Sequence, residues 1–177
     1  MKWAAMLRGV NLGKRQLKSA ELKAIVEGMG LTDVKTVLAS GNVVFEAGDA
    51  KPEALERDLH AALEKATGLK SEVFVRNAAD LERLIVDNPF PDVARDRPSQ
   101  LLVTFHREPV GQAPLDWVAE RYEGPERLAI VGRELFIDFP DGQGRSDLIP
   151  AMAKAKFSKI ATGRNWNTVL KLADLLR

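Results

Sequence analysis

Hydrophobic and polar positions along the chain predict a regular succession of strands and helices. Short apolar runs rich in Val, Ile and Phe are typical of strands, whereas apolar residues three and four positions apart are typical of helices. In the first half, strands are predicted at 2–8, 34–39, 43–46 and 72–76. One helix is predicted with Ser19 as its N-cap, and further helices begin at Pro52 and Asp80. The order β-α-β-β-α-β, before the last helix, is that of a split β-α-β, or ferredoxin-like, unit.

The second half repeats most of this order. A strand is predicted at 100–105, a helix at 115–121 and a hairpin with strands 127–131 and 134–139. A helical tail restarts near Asn165, and no fourth strand is predicted. The expected fold class is therefore α+β, with two ferredoxin-like lobes, the second degenerate, and a helical C-terminal tail.

A polar stretch at 92–98 predicts a linker between the lobes. We expect residues 1–91 to form the first lobe plus an extra helix, and 99–177 to form the second lobe and the C-terminal helix, both within one compact unit. Strands such as Val43–Phe45 and Leu101–Val103 are apolar at consecutive positions. An antiparallel sheet with one wet face would alternate, so both faces should be covered, one by helices and the other by the second lobe's sheet or a partner chain.

Composition narrows the class of protein. With 177 residues, 45% hydrophobic and 29% charged, the chain has the composition of a globular domain. The absence of cysteine excludes disulfides and thiolate metal sites, and a net charge of +1 gives no global attraction to nucleic acid. No membrane span or export signal is recognisable, so a cytoplasmic protein is expected. The two histidines do not match a zinc spacing, and no metal or cofactor is predicted.

The strand order brings candidate ligand-binding residues together. Strands one and two of a split β-α-β unit are parallel, so the end of strand one and the turn after strand two lie at the same end of the sheet. Arg8, Asn11, Lys14, Arg15 and the Ser40–Asn42 turn should therefore converge near the start of the first helix, where free N–H groups favour an anion. In the alternative interpretation, the glycines and asparagines only form turns, and Arg8 belongs to a structural ion pair.

Two further segments bear on the site. Gly9 and Gly13-Lys14 resemble a phosphate-binding P-loop, but only three residues separate the glycines and Arg15 replaces Ser or Thr, which excludes that class. Arg164 and Asn165 precede the tail helix and form a second donor-rich corner. Trp166, which opens this helix, is by itself more typical of a core or docking anchor than of a stacking platform.

Three segments carry a resemblance to a known family. Leu7–Gly13, Ser40–Phe45 and Ala161–Thr168 are similar, in order and spacing, to the signature segments of an uncharacterised bacterial family, the domain of unknown function 1697. The resemblance implies an α+β fold of two ferredoxin-like lobes and no particular activity. One departure is that the second glycine often found after Gly13 is absent, which changes how the loop can approach a ligand.

The favoured hypothesis is a protein that binds a small anionic or phosphorylated ligand at the edge formed by the Arg8–Gly13 loop and the Ser40–Asn42 turn, with the Arg164–Thr168 corner as an optional third contributor. One alternative is a nucleic-acid module, disfavoured because Val43, Val44 and Phe45 lack the aromatic pair of an RNA-binding sheet. Another is a structural or protein-interaction role, in which the three signature segments hold the two lobes together. Whether the protein is an enzyme, and its oligomeric state, stay open. The candidate ligand-binding residues are Arg8, Gly9, Asn11, Gly13, Lys14, Ser40, Gly41, Asn42, Arg164, Asn165, Trp166 and Asn167.

Overall fold

The structure is a computed structural model that describes residues 1–10, 16–38 and 41–177. The first half follows the predicted order, and its strands form one antiparallel sheet of order β2-β3-β1-β4, with β1 and β3 inside. This is the strand order of a ferredoxin-like unit. Its elements are β1 (Lys2–Leu7), α1 (Ser19–Gly28), β2 (Thr32–Val37), β3 (Asn42–Glu46), α2 (Pro52–Thr67) and β4 (Val73–Asn77).

The second half forms another four-stranded antiparallel sheet of order β6-β7-β5-β8, the same order as in the first half. The predicted α+β class with two ferredoxin-like lobes and a C-terminal helix is confirmed. The elements that follow β4 are α3 (Ala78–Val86), α4 (Pro91–Asp96), β5 (Leu101–His106), α5 (Gln112–Arg121), β6 (Arg127–Val131), β7 (Glu134–Asp138), α6 (Leu148–Lys154), β8 (Ala161–Asn165) and α7 (Trp166–Leu176).

The second lobe is complete, and the prediction that it lacks a fourth strand is wrong. Strand β8 pairs antiparallel with β5, from Leu102 opposite Asn165 to His106 opposite Ala161. The segment Ala-Thr-Gly-Arg-Asn contains a single β-branched residue, Thr162, so local preference does not favour a strand. Strand β8 is defined by backbone pairing with β5, which lies more than fifty residues away in sequence. The local sequence pattern therefore does not predict it.

The predicted linker at 92–98 also needs correction, because α4 occupies most of it. Pro91 stands in the first turn, where its fixed φ suits a helix and its missing N–H has no cost. Val93 is fully buried, and the Ala94 N–H donates to the Phe90 carbonyl at 3.1 Å. Because α4 has only six residues and one buried side chain, its sequence shows no helical periodicity from which the helix could be predicted.

The described residues divide into two compact units, 1–83 with 171–177, and 84–170. In the first unit, α1 and α2 pack on one face of the sheet, and Leu59 and Leu63 of α2 join Trp3 and Leu7 in the core. Each buried leucine contributes roughly 2 kcal/mol of transfer free energy. Met6, which points to the other face of β1, is also buried, so both faces of this strand are covered, as the continuous apolar runs predict.

The core of the second unit lies between its sheet and helices α5 and α6. Leu135 and Ile137 of β7 pack with Val118 of α5 and Leu148 of α6. On the alternate positions of β7, Phe136 contacts the Trp166 ring at a centroid distance of 5.8 Å. Among the helices described here, none is long and apolar enough to cross a lipid bilayer.

A charged cluster ties α4 to the sheet of the second unit. The buried Asp138 carboxylate accepts hydrogen bonds from Arg97 Nη1 and Nη2 at 3.1 and 3.2 Å, and from Arg127 Nε and Nη2 at 3.2 Å. Arg127 also pairs with Asp92 at 3.1 Å and lies 4.7 Å from the centre of the Phe90 ring. Bidentate contacts of this kind fix both the distance and the orientation of the paired groups.

Candidate functional site

The C-terminal end of β1 lies between the Gly41 turn and the start of β4. The Leu7 N–H donates to the Gly41 carbonyl at 2.8 Å, and the Arg8 N–H donates to the Glu72 carbonyl at 2.9 Å. The Ser71 hydroxyl donates to the Arg8 carbonyl at 2.7 Å. The structure therefore brings Arg8 and Gly41 together, and three hydrogen bonds hold the backbone at this point.

Arg8 places a cationic side chain at this end of the sheet. Its side chain is exposed, and within the described residues its guanidinium has neither an ion-pair partner nor a hydrogen bond. The structural ion pair that the alternative interpretation expects is thus not formed with any described residue. An exposed guanidinium offers a planar fork of donors that matches a carboxylate or a phosphate.

Gly41 and Asn42 have structural roles in the hairpin between β2 and β3. Asn42 is 1% exposed, and its Nδ2 donates to the Val37 carbonyl at 3.1 Å. Gly41 has a φ of +74°, and a Cβ at this position would lie 2.3 Å from Val10 Cγ2. Both residues act as the turn formers that the alternative interpretation describes, and both fix the position of the neighbouring β1 end.

The first helix, α1, begins at Ser19. Ser19 is predicted as its N-cap, but Lys18 occupies that position with φ −72° and ψ 145°, and no described side chain caps the first turn. The first-turn N–H groups of α1 therefore keep their capacity to donate. Four candidates lie outside the described residues: Asn11, Gly13, Lys14 and Ser40.

The Arg164–Asn167 corner lies in the second unit, at the junction of β8 and α7. Arg164 is buried, and its Nη1 donates to Thr162 Oγ1 at 2.7 Å and to the Gly163 carbonyl at 2.8 Å. Burial lowers the pKa of Arg164 to about 10, because desolvation disfavours the charged form. Among the described candidates, this guanidinium is the one whose charge is desolvated.

Asn165, which follows Arg164, stabilises the start of α7. Asn165 Oδ1 accepts hydrogen bonds from the Thr168 N–H at 3.0 Å and from the Thr168 hydroxyl at 3.1 Å, the pattern of an N-cap. Trp166 is 4% exposed, in agreement with its interpretation as a core anchor, and Asn167 is exposed.

Sequence reasoning missed Ser71 and Glu72, which hold the Arg8 backbone. Nothing in their local sequence marks them, because they act through hydroxyl and backbone contacts to Arg8, a residue more than sixty positions away. Their role follows from the pairing of β4 with β1, which places Val73 opposite Leu7.

A second polar cluster that sequence reasoning missed surrounds Glu126 in the second unit. The Tyr122 hydroxyl donates to Glu126 Oε2 at 2.7 Å, and the Ser146 hydroxyl donates to Oε1 at 2.5 Å. Burial by itself would raise the pKa of Glu126, but the hydrogen bonds from Ser146 and Tyr122 outweigh it and lower the pKa below its ordinary value. Glu126 is therefore a carboxylate held in its charged form.

This cluster predicts a pH-dependent loss of stability when Tyr122 is replaced by Phe. At neutral pH the free energy of unfolding should fall by about 1 kcal/mol, because one hydrogen bond to a charged group is lost. Since the folded pKa of Glu126 is lowered, its stabilisation is present above the unfolded pKa and disappears as the pH falls through the folded pKa. The difference between the two proteins should therefore shrink on acidification.

Urea unfolding at neutral and acidic pH measures this difference. In a Glu126→Gln background, the Tyr122→Phe change should have the same effect at both pH values. A wild-type to Tyr122→Phe difference that is constant from neutral to acidic pH would contradict the assignment.

Comparison with known proteins places the chain in a family. The profile of the family described as "Protein of unknown function (DUF1697)" matches residues 1–136 of the 177. The chain belongs to the DUF1697 family. The resemblance inferred from the Leu7–Gly13 and Ser40–Phe45 segments is thereby confirmed, and the match to DUF1697 ends before the third segment, Ala161–Thr168.

The fold of this DUF1697 member is shared with a solved structure. It is similar to the conserved bacterial protein SP0830 from Streptococcus pneumoniae, with a TM-score of 0.76 and 21% sequence identity. The alignment covers 99% of this chain and 97% of the other. At this level of identity, the likeness shows a common fold. No match to this sequence is found among curated proteins.

Proposed function

We propose that the end of the first sheet at Arg8–Val10 and Gly41 binds a small anionic or phosphorylated molecule through Arg8. The observation that carries the proposal is the exposed Arg8 guanidinium, which has no ion-pair partner among the described residues. An arginine in this state keeps its full donor set for a ligand.

The backbone around Arg8 supports this role. Hydrogen bonds to Gly41, Glu72 and Ser71 fix the residue on both sides of its Cα. Only the side chain must then be ordered when a ligand binds, which keeps the entropic cost of binding low. The start of α1, which no side chain of the described residues caps, supplies N–H donors at the same end of the sheet as the end of β1.

The other candidates extend this proposal. Lys14 and Ser40, which lie outside the described residues, stay predicted donors to the ligand. The Arg164–Asn167 corner stays a predicted ligand-binding segment of the second unit, with Arg164 as its cation. A cytoplasmic location is part of the same proposal and rests on the cysteine-free sequence.

Thermal unfolding in the presence of inorganic phosphate, pyrophosphate and adenosine monophosphate tests the proposal. At least one of these anions should raise the melting temperature saturably. A ligand at ~100 times its Kd adds roughly 2.7 kcal/mol to the free energy of unfolding. In Arg8→Ala most of this shift should disappear, because the guanidinium is the main ligand contact.

Arg57→Ala is the matched control. Arg57 lies in the same unit, its side chain is 74% exposed, and it pairs with the adjacent Asp58. This variant should keep the ligand-induced shift of the wild type. A shift that is the same in Arg8→Ala as in wild type, or no shift with any of the three anions at millimolar concentration, would show that this end of the sheet is not an anion site.

A further inference from the structure

The second unit contains a cavity of about 310 Å³ between α5 and the start of β6. Its apolar lining, called the floor below, consists of Leu115, Val118, Ala119 and Leu128. The side chain of Val118 is part of the core, so the floor is a fixed surface. A volume of this size is at the lower end of the range for small-molecule sites, and an apolar floor favours the carbon skeleton of a ligand.

The polar side of the cavity carries negative charge. Asp116 and Glu126 line it together with Gln112 and Tyr122, and none of the described lining residues is Lys, Arg or His. An anion would be repelled by two carboxylates. A neutral apolar molecule would displace water from these carboxylates without replacing its hydrogen bonds, which costs free energy.

The Glu126 carboxylate is oriented before any ligand arrives. Its Oε1 accepts the Ser146 hydroxyl and its Oε2 accepts the Tyr122 hydroxyl. A carboxylate has about four acceptor sites, and the two hydroxyls together with the backbone at Glu126 occupy three of them, so one is available to a further donor. Asp116 Oδ1 accepts from Gln112 Nε2 at 2.8 Å, which leaves Oδ2 available in the same way.

We propose that this cavity binds a small organic cation, a primary amine with an aromatic or aliphatic body. The body of the ligand lies on Leu115 and Leu128, and its ammonium group donates hydrogen bonds to Glu126 and Asp116. The Tyr122 ring beside Glu126 adds a surface that attracts cations. This site lies in the second unit and is independent of the anion site proposed at Arg8.

An NMR titration with phenethylamine, and with phenethyl alcohol as its neutral analogue, tests the inference. The amine should shift the backbone amide signals of residues 112–128 saturably at millimolar concentration. The alcohol should bind about tenfold more weakly, because it lacks the charge-assisted hydrogen bonds. Glu126→Gln and Asp116→Asn should each weaken amine binding by about tenfold and leave binding of the alcohol unchanged.

Glu120→Gln is the control, since Glu120 is on the same helix, its side chain is 68% exposed and it does not line the cavity. It should bind the amine as the wild type does. Asp116 lies on the exposed face of α5, so Asp116→Asn tests the charge even where Glu126→Gln lowers stability. Equal affinities for the amine and the alcohol, unchanged amine binding in Asp116→Asn, or no saturable shifts would overturn the inference.

Discussion

Replacement of Asp138 by Asn is expected to lower the free energy of unfolding by about 2–3 kcal/mol. Asp138 is 1% exposed and accepts hydrogen bonds from both Arg97 and Arg127. The substitution keeps the shape of the side chain but removes the charge that both guanidinium groups share. The loss should be below that of a fully buried pair, because the arginine side chains are 35% and 46% exposed and can regain water.

Urea unfolding followed by circular dichroism measures this loss, and Asp92→Asn provides the control. Asp92 also pairs with Arg127, but its side chain is 55% exposed, so its removal should have a much smaller effect. If the two variants were equally stable, the Asp138 cluster would not hold α4 to the sheet.

Replacement of Gly41 by Ala is expected to lower the free energy of unfolding by about 3 kcal/mol. Two effects add here. The φ of +74° is costly for any residue with a Cβ, and the new Cβ would lie 2.3 Å from Val10 Cγ2 and 3.2 Å from Leu7 Cβ. Leu7 and Val10 are both buried in the core, so neither can move aside easily.

Gly9→Ala separates the two effects. Gly9 has a similar φ of +69°, but a Cβ added there would have no atom of a described residue within 4 Å, apart from its chain neighbours. Its replacement should therefore cost about 1 kcal/mol, the conformational part alone. The same urea experiment compares the two variants, and equal losses would show that close packing at Gly41 contributes nothing.

The first ferredoxin-like unit could be predicted almost entirely from local pattern. Helix α2, for example, has leucines at 55, 59 and 63 and a proline at its start, and strand β3 is a short run of Val and Phe after the Gly41 turn. These are the spacings at which a helix or a strand buries one continuous surface. The strand order then placed the end of β1 beside the Gly41 turn, as the Leu7–Gly41 hydrogen bond shows.

The elements that local pattern missed are those that tertiary contacts define. Strand β8 contains Gly163 and Asn165, which disfavour strands, and is held by the edge of β5. Helix α4 is anchored by one buried valine and by the Asp92–Arg127 pair. The Glu126 cluster joins side chains 4 and 20 positions apart in sequence.

The sequence by itself determined the fold class, the family and the position of Arg8 at the end of a central strand, because hydrophobic spacing and turn residues act over a few positions. Only the tertiary structure decided that Arg8 is exposed while Asn42 and Arg164 are buried, and that Ser71 and Glu72 hold the Arg8 backbone. The burial of these side chains and their hydrogen-bond partners depend on segments that are distant in sequence. Those contacts contribute free energy only after the chain has folded.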